Sequence, residues 1–152
     1  MNFKKPNFWD LDKPNLLSYI LIPFTLLIQL NNFFLNFSKG FKLTKIKTIC
    51  VGNIYIGGTG KTPTTIKIYN LLNKLGYKII TAKKYYKAQK DEQIILNEKT
   101  EFITALNRKE IIKKTSKINK DIIIFDDGLQ DKSINYDLKF VCFDSECWIG
   151  NG

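Results

Sequence analysis

Ile46-Lys-Thr-Ile-Cys-Val-Gly52-Asn-Ile-Tyr-Ile-Gly57-Gly58-Thr59-Gly60-Lys61-Thr62-Pro63 is the stretch whose reading decides the fold. Residues 46–52 are rich in β-branched side chains, the pattern of a buried strand. A glycine-rich turn follows, then Gly-Lys-Thr, then a helix whose apolar positions are Ile68, Leu71, Leu72 and Leu75. Pro63 suits the first helical turn and Gly76 suits a stop. Strand, glycine-rich turn, Gly-Lys-Thr and helix together form the context a phosphate-binding loop requires. The glycines let main-chain N–H groups converge on phosphate oxygens, and the helix start adds its positive dipole end. Tyr55, Ile56, Gly57, Gly58, Thr59, Gly60, Lys61 and Thr62 are therefore the expected nucleotide-binding residues. A strict G-x-x-x-x-G-K-[ST] pattern would place glycine at Tyr55; Gly57 and Gly58 supply the freedom instead.

A second motif supports the first. Ile122-Ile-Ile-Phe125 reads as a buried strand, and Asp126-Asp127-Gly128 ends it. In a parallel sheet that end lies at the carboxyl edge, where ligands bind. Thr62, Asp126 and Asp127 are the expected Mg²⁺-holding groups, because hydroxyl and carboxylate oxygens suit a hard cation. Further strands are expected at residues 77–81, 102–103 and 137–143. Asn107-x-x-Glu110 resembles a capping box opening a helix with Ile111, Ile112, Thr115 and Ile118 on one side. The polar, basic stretch Lys83–Glu92 is expected to be a loop on the nucleotide face. This alternation implies an α/β fold of phosphate-loop NTPase type, a mostly parallel sheet flanked by helices.

Composition narrows the chemistry. With 152 residues, 44% hydrophobic and 25% charged, the chain suits one globular domain. There is no histidine, which excludes an imidazole base and His-ligated metal. Cys50, Cys142 and Cys147 show neither CxxC nor zinc spacing. The net charge of +10 is uneven: residues 1–50 sum to +5, 51–120 to +10 and 121–152 to −5. An anionic partner or a bias in amino-acid usage would each account for the excess. Nucleic acid is not the expected partner, because no helix-turn-helix or single-strand-binding pattern is present.

Residues 15–38 carry no charge. Asn15, Ser18, Thr25, Gln29, Asn32 and Asn36 repeat at helical spacing, opposite Leu16, Leu17, Ile20, Leu21, Phe24, Leu27, Ile28 and Leu35. Such two-sidedness favours a helix lying in a membrane interface. Lys4, Lys5 and Lys13 before it, and Lys39, Lys42, Lys45 and Lys47 after it, would meet anionic headgroups, with Phe8 and Trp9 at ring depth. Pro23 is expected to kink or divide the helix. A single span and an amphipathic helix packed on the domain are the competing readings; a signal peptide is disfavoured by Asp10 and Asp12.

Taken together, the chain resembles the tetraacyldisaccharide 4′-kinases of lipid A synthesis. Phe8-Trp9, Leu21-Ile-Pro23 and Val51–Pro63 follow that family's amino-terminal pattern, including Tyr55; Asp126-Asp-Gly-Leu-Gln130 and Gly150-Asn-Gly152 follow its next hallmarks. The resemblance implies ATP-dependent phosphorylation of the 4′-hydroxyl of a tetraacylated glucosamine disaccharide 1-phosphate. It also implies a place on the cytoplasmic face of the inner membrane, peripheral or monotopic, with anionic lipids as partners. Residues 1–44 would be the membrane-associating amphipathic segment and 45–152 a kinase-like domain, incomplete relative to the family. Lys90-Asp91-Glu92-Gln93 falls where the family carries Gly-Asp-Glu-Pro, which makes Asp91 the expected catalytic base.

Departures from the family accompany these matches. Ala82-Lys83-Lys84-Tyr85 stands for Ser-Arg-Gly-Tyr, Asp131 stands for a histidine, and the family continues past Gly-Asn-Gly to a catalytic histidine. The chain is thus expected to bind nucleotide but to turn over little lipid by itself. Two alternatives stay open: a partitioning-type ATPase, although Ile56 replaces the lysine many of those carry, and a non-catalytic membrane-bound nucleotide- or lipid-binding remnant. The sequence leaves the oligomeric state open.

Overall fold

The computed structural model describes residues 13–37, 40, 42–43, 45–53 and 60–143. The expected sites Tyr55, Ile56, Gly57, Gly58 and Thr59, the Phe8-Trp9 pair and Gly150-Asn-Gly152 lie outside the described residues. The described residues fall into two compact units, 13–37 and 40–143.

The first unit is helix α1, Leu16–Phe37. Asn15 starts it: its Oδ1 accepts from the Ser18 N–H and the Ser18 hydroxyl, each at 3.0 Å. Asn15 thereby caps the end instead of extending the polar stripe. Pro23 lies within α1 and does not divide it. The Thr25 hydroxyl donates to the Ile22 carbonyl at 2.6 Å, one of the local bonds of this turn. By length and composition, Leu16–Phe34 could cross a membrane, and its large apolar side chains are exposed.

The second unit is built on a five-stranded sheet. Strands β1 (Lys47–Asn53), β2 (Ile79–Lys84), β3 (Phe102–Ala105), β4 (Ile122–Asp126) and β5 (Leu138–Cys142) lie in the order β3-β2-β4-β1-β5. Every pairing is parallel. Helices α2 (Lys61–Lys74), α3 (Lys90–Lys99) and α4 (Arg108–Thr115) complete it. Because side chains alternate along a strand, the sheet has two apolar faces. Ile49, Val51, Ile79, Ile122 and Ile124 pack with Ile68, Tyr69 and Leu72 of α2. Cys50, Ile80, Ala82, Ile123 and Phe125 pack with Ile111 and Ile112 of α4 and with Ile134 and Tyr136. Each fully buried isoleucine contributes about 1.5–3 kcal/mol, which holds strands distant in sequence in one register.

Several expectations meet differences. Leu71 and Leu75 are exposed at 59% and 67%, so Ile68, Tyr69 and Leu72 form the buried side of α2. The residue 83–92 stretch is not a loop. Lys83 and Lys84 finish β2, a 3₁₀ turn spans Lys87–Gln89, and α3 starts at Lys90. Gln93 secures that connection by donating to the Tyr86 and Gln89 carbonyls at 2.9 and 3.1 Å. Asp91 and Glu92 in the first turn complement the helix dipole. At α4 the expected cap is present: the Asn107 Oδ1 accepts from the Glu110 N–H at 2.9 Å. Ile118 falls past the end of α4.

The edge strand β5 is tied to β1 through one carboxylate. The Thr48 N–H and hydroxyl donate to Asp137 Oδ2 at 2.9 and 3.0 Å. Lys42 and Lys47 each lie 3.8 Å from the same carboxylate. The Thr48 N–H first, then the Thr48 hydroxyl and the two lysines, hold the Asp137 carboxyl below its ordinary range against a smaller opposing effect of burial.

Candidate functional site

The site lies where β1 and β4 end side by side. From β1 the chain passes to α2 on one sheet face; from β4 it passes to Ile134 and Tyr136 on the other. Adjacent strands leaving toward opposite faces open a crevice at their carboxyl ends.

At the mouth of α2, Gly60 has φ 73°, in the left-handed region where glycine alone carries no side-chain penalty. Its carbonyl accepts the Thr64 N–H at 3.0 Å; a helix start of this kind carries N–H groups without intrahelical partners and favours an anion. The Lys61 ammonium donates to Asn53 Oδ1 at 3.0 Å and lies 3.4 Å from Asp127 Oδ1. Its side chain is 15% exposed, so it is held in place yet open on one side. Asn53, the last residue of β1, was not singled out by sequence reasoning, although it lies within the decisive stretch.

Asp126 is buried beneath this mouth. Its Oδ2 accepts from the Thr62 hydroxyl at 3.3 Å, and its Oδ1 from the Thr65 hydroxyl at 3.1 Å. Thr62 and Thr65 are three apart and share a helix face, the spacing signal that could have revealed Thr65. A third partner came from the supposed loop: Lys83 Nζ lies 2.7 Å from Asp126 Oδ2 and also pairs with Glu92. The β2–β4 register sets Lys83 beside Asp126, and both side chains are completely buried. Burial opposes the Lys83 charge, but the Asp126 and Glu92 carboxylates outweigh it and hold the ammonium above the ordinary lysine range.

Asp127 has φ 61°, a left-handed conformation that aspartate tolerates better than most residues. Its N–H donates to the Val51 carbonyl at 2.8 Å, and Arg108 donates to its carbonyl. Arg108 also pairs with Asp131, which accepts the Ser133 N–H at 2.8 Å. Burial would raise the Asp131 carboxyl, but the Ser133 hydrogen bonds and then Arg108 hold it below its usual range. Asp91 is exposed in the first turn of α3, one residue before Glu92. No hydrogen bond or ion pair joins it directly to Lys61, Thr62 or Asp126 among the described residues.

The donors fit a magnesium ion in kind: Thr62, Asp126 and Asp127 offer only oxygen. Among the described residues no group of three or more His, Cys, Asp or Glu forms a metal cage. Such a sparse set suits Mg²⁺, which keeps its waters and shares phosphate oxygens.

A left-handed glycine before Lys-Thr, a helix start facing the sheet's carboxyl edge and an aspartate on the neighbouring strand define a phosphate-loop, kinase-like α/β domain. The tetraacyldisaccharide-1-P 4′-kinase family matches residues 16–152, and the chain belongs to that family. It is 46% identical over 152 residues to the tetraacyldisaccharide 4′-kinase of Pelagibacter ubique (strain HTCC1062), covering 100% of this chain and 48% of that protein. Against the enzyme of the same name from Rickettsia rickettsii (strain Sheila Smith) the identity is 32% over 167 residues, covering 97% and 50%. Among solved structures, LpxK from Aquifex aeolicus, an "apo" form in complex with ATP, is similar in fold. Its TM-score is 0.69 at 22% identity, over 86% of this chain and 50% of that one. The chain spans about half the length of the curated relatives it matches.

Proposed function

We propose that this chain carries the nucleotide-binding half of an ATP-dependent lipid kinase acting on the 4′-hydroxyl of a tetraacylated glucosamine disaccharide 1-phosphate. The observation that carries the reading is the convergence of Asn53 from β1, Lys61 and Thr62 from α2 and Asp126 from β4, in a chain belonging to the 4′-kinase family. In this reading residues 55–62 surround the ATP phosphates, with Lys61 neutralising the β- and γ-phosphate oxygens. Thr62, Asp126 and Asp127 hold Mg²⁺, which when bound spreads the phosphate charge during transfer. Asp91 takes the proton of the sugar hydroxyl as its oxygen bonds to the γ-phosphorus and ADP departs. Exposure of Asp91 beside Glu92 leaves it open to a substrate arriving from outside the fold.

In the same reading the exposed, apolar α1 associates with anionic lipid at the cytoplasmic face of the inner membrane. Family membership favours this reading over a partitioning-type ATPase. The test is binding of a fluorescent ATP analogue with Mg²⁺ to the 152-residue chain and to Lys61→Ala, alongside phosphate transfer to the lipid. Binding that Lys61→Ala weakens by about tenfold or more, the loss of a charge-assisted phosphate contact, is expected, with little transfer by this chain alone. Equal binding by both proteins would defeat the nucleotide reading, and appreciable transfer would defeat the expected incompleteness.

A further inference from the structure

A buried parallel sheet has no use for a lysine unless its charge is answered, and Lys83 is answered twice. Its Nζ lies 2.7 Å from Asp126 Oδ2, and Glu92 closes on it from the first turn of α3. Its side chain has no exposure, and neither has that of Asp126. The Asp126 carboxylate has Thr65 on its other oxygen and Thr62 sharing Oδ2 with the ammonium. Both oxygens are therefore engaged by groups of the chain itself.

A Mg²⁺ ligand bond is about 2.0–2.1 Å long and needs an oxygen lone pair directed at the ion. At Asp126 Oδ2 that approach would bring a divalent ion into close range of a buried ammonium, where little solvent screens the repulsion. We propose that Lys83 is a tethered cation occupying the Asp126–Glu92 carboxylates, and that a divalent metal gains Asp126 only by displacing it. Lys83 is thus a positioning residue that sets the site's metal affinity. The proposal rests on the reading of Thr62, Asp126 and Asp127 as the metal-holding set. It goes further by naming the competitor within the chain.

The experiment uses Mn²⁺ as the probe, without nucleotide, and reads binding to the 152-residue chain by electron paramagnetic resonance. Removing the ammonium in Lys83→Met leaves two carboxylates facing each other, a better divalent site. Mn²⁺ affinity should rise by about tenfold or more, while charge-retaining Lys83→Arg stays within about twofold of the parent. A Lys83→Met affinity within about twofold of the parent overturns the proposal.

Loss of Lys83 leaves the buried Asp126 carboxylate without its cation, so a second measurement uses the unaltered chain. Reductive methylation mapped by mass spectrometry should find Lys83 protected without metal and labelled about fivefold faster in saturating Mg²⁺, with exposed Lys78 unchanged. Labelling of Lys83 indifferent to Mg²⁺ also overturns it. Because neither measurement includes nucleotide, failure of ATP-analogue binding would remove the kinase reading and leave the Lys83 result standing on its own.

Discussion

Replacing Arg108 by alanine tests whether the turn after β4 is held from below. Arg108 is 6% exposed; it donates to the Asp127 carbonyl and pairs with Asp131. Truncation leaves the Asp127 carbonyl without this charged donor, a loss of about 1.5–3 kcal/mol. The Asp131 partner is 29% exposed and rehydrates, so that ion pair adds at most about 1 kcal/mol. The buried stem adds about 0.8 kcal/mol per methylene lost from packing. Against these stands the Arg108 Nε, buried without a hydrogen-bond partner among the described residues, whose removal recovers about 1 kcal/mol. The balance is a destabilisation of about 2–4 kcal/mol. With a urea dependence of about 1–3 kcal/mol per molar, the unfolding midpoint should fall by roughly 1–2 M. Circular dichroism at neutral pH reads it. Arg108→Lys should recover less than half, because one ammonium cannot fork between a carbonyl and a carboxylate as the guanidinium does. A midpoint shift below about 0.3 M for Arg108→Ala would refute the clamp and this accounting together.

Acid should weaken the sheet in a defined direction. Asp131 and Asp137 are both held below the ordinary carboxyl range. Their contribution is therefore complete above the unfolded value near ~3.9 and is lost as pH falls through the lower folded values. Urea midpoints should be level from about pH 7 to 5 and drop below about pH 4, less steeply in Asp137→Asn; an equally steep drop in that variant would contradict the Thr48–Asp137 assignment. Burial pushes the Cys50 thiol up to about 12. Cys50 should accordingly resist an aromatic disulfide reagent near pH 8 in the native chain and react once urea unfolds it, as peptide mass mapping would record; rapid native labelling would contradict its burial.

Much of the fold was legible because it is written locally. Alternation of β-branched runs with Gly76, Asn107 and Pro63 located all five strand-bearing regions and the starts or stops of α2 and α4 without any long-range information. That Lys61, Thr62, Asp126 and Asp127 lie near one another was also legible, since Gly-Lys-Thr opens α2 and Asp-Asp-Gly ends β4. Asn53, Thr65, Glu92 and Arg108 were not read as site residues, because their part in the site comes from partners distant in the chain or across a helix turn.

The residue 83–92 stretch separates the two kinds of information most clearly. By composition it is polar and basic, and a solvated loop is the local reading. Tertiary structure reverses it: β2 continues through Lys84 because β4 and β3 pair with it on either side, and Lys83 then falls opposite Asp126. Sequence alone determined that a Gly-Lys-Thr helix start, an acidic strand end and an apolar amino-terminal helix exist, because each depends on spacing within a few turns or strand residues. Only the assembled sheet decided that a lysine is buried against the acidic strand end. That depends on which strands pair and in what register, and pairing is set by packing between segments more than forty residues apart in the chain.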